Sequence, residues 1–187
     1  MRICGRSGFG AALGLVLVAA VPVAARAAPH HALAPHRSIA AQRIGGAGPW
    51  SAYLYKAGPG PVCYLAGAPE KSEPARLRRR PPSLTVTHRP KENAFNVVNF
   101  DAGTTLKPGS DASVDIDGTK FDLFTKSDGA WSRTSDTDKA IVEAMVKGRS
   151  ALFSGTAAKG ATVTDSYSLG GFTQTLAMID KACGVKR

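Results

Sequence analysis

Long apolar runs, paired cysteines and catalytic signatures are all scarce in this 187-residue chain. The longest apolar stretch, Phe9 to Val23, falls short of the roughly 18 residues that a membrane-spanning helix needs. No other stretch comes near that length, so no helical membrane span is expected after it. No Gly-x-Ser-x-Gly is present, so one common hydrolase nucleophile motif is missing. Acidic residues number 14 against 24 basic ones, a net charge of +10. A surplus of that sign favours anionic partners such as lipid headgroups, glycans or nucleic acid, and also serves plain solubility.

What is there begins with a leader. Arg2 and Arg6 precede the apolar run, and Ala25-Arg26-Ala27 follows it. These are the charged, apolar and small-residue parts of a secretory signal peptide, with a cut before Ala28. Residues 1–27 are therefore expected to be removed, leaving about 160 residues and a charge of about +7. Cys4 leaves with the leader. Cys63 and Cys183 remain, an even count in an exported chain, so one disulfide between them is expected. That pairing also disfavours a thiol catalyst. Cys4 lies before the apolar run rather than after it, which argues against a lipid-anchored protein.

Residues 28–48 carry Ala, Pro, Gly and three histidines, His30, His31 and His36, with no period. They read as a flexible arm. Residues 49–187 read as a single domain of a size that buries a real core. Short alternating runs broken by Gly, Pro, Asp and Asn predict strands at 51–56, 61–66, 83–88, 95–100, 113–117, 119–125, 130–133, 150–154 and 161–168. Asp117-Gly118 between two such runs predicts a tight hairpin. Glu70 to Pro82 is charged and proline-bearing, and reads as a loop. The period then changes. Ser135 to Asp138 resembles a capping box for a helix near 136–147, with Gly148 as its stop. Phe172, Leu176, Ile179 and Cys183 form an apolar stripe on a second helix near 171–183. The fold class is thus α+β, mainly antiparallel β, as a sandwich or half-open barrel with two packed helices.

The order Trp50, Cys63-Tyr64, Arg89-Pro90, Ala130-Trp131, Ala144-Met145 with Gly148, Tyr167-Ser168-Leu169 with Gly171-Phe172, then Cys183 resembles the invasion-associated locus B family of exported alphaproteobacterial proteins. The likeness spans roughly Trp50 to Cys183. Its most specific piece is Tyr-Ser-Leu-x-Gly-Phe followed by a late cysteine. It implies a small β-rich domain in the periplasm or at the outer membrane, linked in pathogens to host-cell invasion. It implies no catalytic residues and no cofactor.

Candidate chemistry is thin. Arg76, Arg78, Arg79 and Arg80 form the densest charge, and guanidinium groups bind phosphate or carboxylate bidentately. They are the candidate anion-binding residues, for a lipid or a glycan. Aromatics are not interleaved with them, so nucleic acid is disfavoured. Asp111, Asp115, Asp117 and Asp122 are better explained as turn residues than as a calcium site, and no metal site is expected. His88 is the sole histidine inside the expected domain. It reads as a packing or surface residue, and as the base only in a hydrolase alternative. The function expected is a non-enzymatic envelope protein with an unidentified envelope or host-surface partner.

Overall fold

The computed structural model, which describes residues 40–187, has eleven strands and two α-helices. The leader, and the arm with its three histidines, lie outside the described residues except for the arm's last few. The strands are β1 (Gln42–Ala47), β2 (Trp50–Ala57), β3 (Gly60–Gly67), β4 (Lys71–Glu73), β5 (Ser83–Arg89), β6 (Ala94–Asp101), β7 (Ala112–Ile116), β8 (Thr119–Lys126), β9 (Gly129–Trp131), β10 (Ser150–Thr156) and β11 (Thr162–Ser168). The helices are α1 (Ser135–Lys147) and α2 (Phe172–Cys183).

All pairings are antiparallel, in the order β1-β2-β3-β5-β6-β9-β8-β7-β10-β11-β4. Strand β8 links the two halves. Thr119 to Leu123 pair with β7, whereas Phe124 to Lys126 pair with β9. The alternating strands turn their apolar sides to one core, where Phe100 of β6 stacks on Phe153 of β10 with ring centroids 5.1 Å apart. The sheet is open, and the α+β class with antiparallel strands and two helices is the one observed.

Two strands appear where the sequence gave no strand signal. Gln42–Ala47, inside the expected arm, pairs with β2 as a bulged edge strand. Lys71–Glu73, inside the expected loop, pairs with β11. Both are edge strands, one of three residues and the other carrying Gly45-Gly46, so neither has the run of side chains that shows a period-two alternation. The Asp117-Gly118 hairpin forms, with both residues at positive φ.

The cap of helix α1 lies one residue before the expected one. Thr134, not Ser135, is the N-cap, and its hydroxyl accepts the Thr137 backbone N–H at 3.1 Å. Asp138 does not reach back to the cap. Its Oδ1 accepts the Val98 backbone N–H at 2.9 Å. The reason lies in the sheet. β9 pairs only with Asn99 to Asp101, so Val98 has no strand neighbour on that side. The acid satisfies a strand N–H that would otherwise be buried unpaired.

Helix α2 lies over β1, β2 and β3. Phe172, Leu176 and Ile179 are buried, each contributing about 1.5–3 kcal/mol of apolar transfer. Cys183 is bonded to Cys63 of β3, with Cα atoms 6.0 Å apart across 120 residues. The disulfide expected from the cysteine count is present.

Candidate functional site

The turn into α2 packs against the turn between β1 and β2. Trp50 donates its indole N–H to the Ser168 carbonyl at 3.0 Å and meets Phe172 edge-to-face with centroids 5.1 Å apart. Gly171 has φ +88, and a Cβ there would lie 2.3 Å from the Ala47 carbonyl oxygen. Tyr167 is buried beneath, with its ring edge on Phe100. Thus the Tyr-Ser-Leu-x-Gly-Phe stretch is a packing device. It supplies a core ring, a carbonyl for Trp50, a residue without a side chain where two turns touch, and the first anchor of α2.

The late cysteine belongs to a second cluster. His88 on β5 is fully buried. Its Nδ1 accepts the Asn96 backbone N–H at 3.1 Å. A backbone N–H only donates, so the ring proton sits on Nε2, which faces Asp180 Oδ1 at 2.9 Å. Asp180 also accepts from Arg187, through Nε at 2.6 Å and Nη2 at 3.1 Å. Arg187 Nη2 donates in turn to Asn96 Oδ1 at 2.7 Å. Burial pushes the Asp180 carboxyl up, but the His88 and Arg187 hydrogen bonds and charge outweigh it, leaving the carboxyl below its ordinary value. His88 has both ring nitrogens occupied and no solvent path, so it has no lone pair left for a substrate.

The four loop arginines divide. Arg79 is a structural cation, its side chain 5% exposed against a fully buried Asp165. It grips Asp165 with both guanidinium ends at 2.7 and 2.8 Å and donates to the Ala102 carbonyl at 2.8 Å. Ser72 on β4 completes the Asp165 shell at 2.6 Å. Arg80 pairs with Asp101 and Asp128 at the surface. Of the four, only Arg76 and Arg78 are exposed without a carboxylate partner among the described residues. Arg78 lines a cleft of about 330 Å³ with Lys159, Thr104 and Thr105. The basic loop is therefore half scaffold and half exposed charge.

Against known families, residues 50–180 match the Invasion associated locus B (IalB) protein family. The chain belongs to that family. No curated protein and no solved structure matches. The matched span opens on Trp50 and closes on Asp180, so it takes in the Trp50–Phe172 contact and the His88–Asp180 pair. In this IalB-family chain the residues that carried the resemblance fall into two groups. Trp50, Cys63, Tyr167, Gly171, Phe172 and Cys183 join α2 to the sheet. Tyr64 and Trp131 lie half-exposed on the outer face, where Tyr64 stacks on Tyr53 at 5.0 Å and Trp131 packs near Phe124 at 5.9 Å.

The acidic residues near the hairpin serve the backbone. Asp115 accepts the Gly118 N–H at 2.7 Å, and Asp117 accepts the Arg149 N–H at 2.7 Å and the Ser150 N–H at 3.1 Å. Those bonds, the Arg149 one first, hold the Asp117 carboxyl below its ordinary value. Among the described residues no group of three His, Cys, Asp or Glu side chains is placed to hold a metal, and no helix is long and apolar enough to cross a membrane.

Sequence reasoning missed Asp138, Asp165, Asp180 and Arg187. The signal was present for three of them. Asp180 sits four residues after Leu176 and Asp138 three before Ile141, both on apolar helix faces where an acid needs a partner. Asp165, inward on β11 between Val163 and Tyr167, gives the same signal at period two.

Proposed function

We propose that this IalB-family chain is an exported protein of the cell envelope that acts by binding rather than by catalysis. It works in the periplasm or at the outer membrane, and in an invasive organism its contact extends to the host surface. The observation that carries this is the Cys63–Cys183 bond, buried at its β3 end and closing 120 residues. Such a bond forms and persists in an oxidising compartment. The leader and the family agree with that placement. The complete engagement of His88 supports binding over hydrolysis.

Protease added to intact cells and to cells with a permeabilised outer membrane tests the placement. Cleavage in intact cells puts the domain on the surface. Protection until permeabilisation puts it in the periplasm. Recovery in the cytosolic fraction with two free thiols would overturn the reading.

A second reading keeps the basic loop as a site for anionic lipid or glycan. It is favoured by the exposed Arg76 and by Arg78 beside Lys159. It predicts salt-sensitive binding that Arg76→Ser with Arg78→Ser abolishes.

A further inference from the structure

Away from the basic loop, a cleft of about 600 Å³ lies between α1 and the tail that follows α2. Lys139, Glu143, Val146 and Lys147 line it from α1, Asn96 from the start of β6, and Val185, Lys186 and Arg187 from the tail. The α1 residues recur at helical spacing, so they share one face. Three lysines thus line the cleft with one side-chain carboxylate, Glu143, which lies 3.9 Å from Lys139.

The back of the cleft is fixed. Arg187 is held by Asp180 and Asn96, and Asn96 is held by His88. These bonds use Arg187 Nε and Nη2, while Nη1 has no partner among the described residues. The tail is anchored too, since the Val185 N–H bonds the Asp180 carbonyl at 2.9 Å. A rigid guanidinium with unused donors, ringed by lysines, is suited to a compact oxyanion. The volume exceeds what a bare oxyanion fills, and Val146 is an exposed apolar side chain at its rim. The remaining space therefore suits an apolar portion on the same ligand.

We propose that this cleft binds the phosphate headgroup of an anionic amphiphile, with Lys139, Lys147, Lys186 and Arg187 on the phosphate and Val146 and Val185 on the apolar portion. The site is separate from the arginine loop and does not depend on that reading.

The test is an NMR titration of the isotope-labelled mature protein with short-chain dihexanoyl phosphatidic acid, beside dihexanoyl phosphatidylcholine and inorganic phosphate. Saturable shifts are expected at Val146, Lys147, Val185 and Lys186 with phosphatidic acid, and weaker binding in high salt. Phosphatidylcholine should leave these signals in place. Lys139→Gln, Lys147→Gln and Lys186→Gln together should weaken binding by about tenfold or more. All three side chains are exposed, and the unchanged spectrum elsewhere will report an intact fold. Equal affinity for inorganic phosphate would overturn the amphiphile and leave a soluble phosphate site. Shifts confined to the Arg78 cleft, or binding lost with Arg76→Gln and Arg78→Gln instead, would overturn the placement.

Discussion

The two helices are docked by different means. Helix α1 is capped by Thr134 and tied to β6 through Asp138. Helix α2 is seated at its start by Phe172 on Trp50, and at its end by the disulfide and the Asp180–His88 pair. Each helix plants one acid on the sheet, but the two acids differ. Asp138 meets only uncharged donors, the Val98 backbone N–H and the Ser132 hydroxyl, so burial dominates and raises its carboxyl above the ordinary value. Asp180 meets a ring N–H and a guanidinium, and its carboxyl lies below that value. The lesson is that α1 is docked by satisfying a gap in the sheet, whereas α2 is docked by a covalent and charge-assisted clamp.

Breaking the clamp should give the largest effect. Cys63→Ser with Cys183→Ser should cost about 4–5 kcal/mol in the chain-entropy account of a loop this long. Denaturant unfolding with and without the bond measures it. Hydrogen exchange should rise first at the end of α2 and leave α1 protected. Equal loosening of both helices would remove the distinction.

Asp180→Ala comes next, at about 3 kcal/mol, because it leaves the buried His88 Nε2–H without an acceptor and strips Arg187 of its carboxylate, with only the Asn96 amide oxygen remaining. The pH dependence has a definite sign. Asp180 contributes stability above the unfolded carboxyl value of 3.8, lost as pH falls through its lower folded value. Asp138 has the opposite sign. Its folded value is raised, so its contribution is fully present below 3.8 and lost as pH rises through the folded value. Mild acid should therefore firm α1 before stronger acid loosens α2. Exchange rates measured helix by helix between neutral pH and pH 3 will show whether the order holds.

The smallest effect belongs to α1. Asp138→Ala should cost about 1–2 kcal/mol by stranding the Val98 N–H. Asp138→Asn keeps an acceptor without the buried charge, so its cost at neutral pH should be below that of alanine. A larger loss for asparagine would mean that the charge itself holds the helix.

Much of this fold was legible in the sequence because inner strands and amphipathic helices repeat. Ser83 to His88 alternates in sequence and in burial, and Phe172, Leu176 and Ile179 fall where the stripe put them. The edge strands β1 and β4 were not legible, since three residues in β4 and a Gly45-Gly46 pair in β1 leave too few side chains to show an alternation. The disulfide followed from counting cysteines once the leader was set aside. The anion site divides more finely than composition shows. Four adjacent arginines look alike in a sequence, yet Arg79 is spent on Asp165, 86 residues away, and no local pattern marks that pairing. The α1–tail cleft was hidden for a related reason. Its lysines are scattered over Lys139, Lys147 and Lys186, and only the clamp on α2 brings the tail beside α1.

The central claim is that export and the Cys63–Cys183 clamp go together. Thiols should be trapped with an alkylating reagent in intact cells before lysis, and the purified protein mapped without reductant. The account predicts one peptide pair joined through Cys63 and Cys183, in a chain that begins at Ala28 and so lacks Cys4. Alkylated Cys63 and Cys183 in a chain that retains its first 27 residues, Cys4 among them, would contradict it.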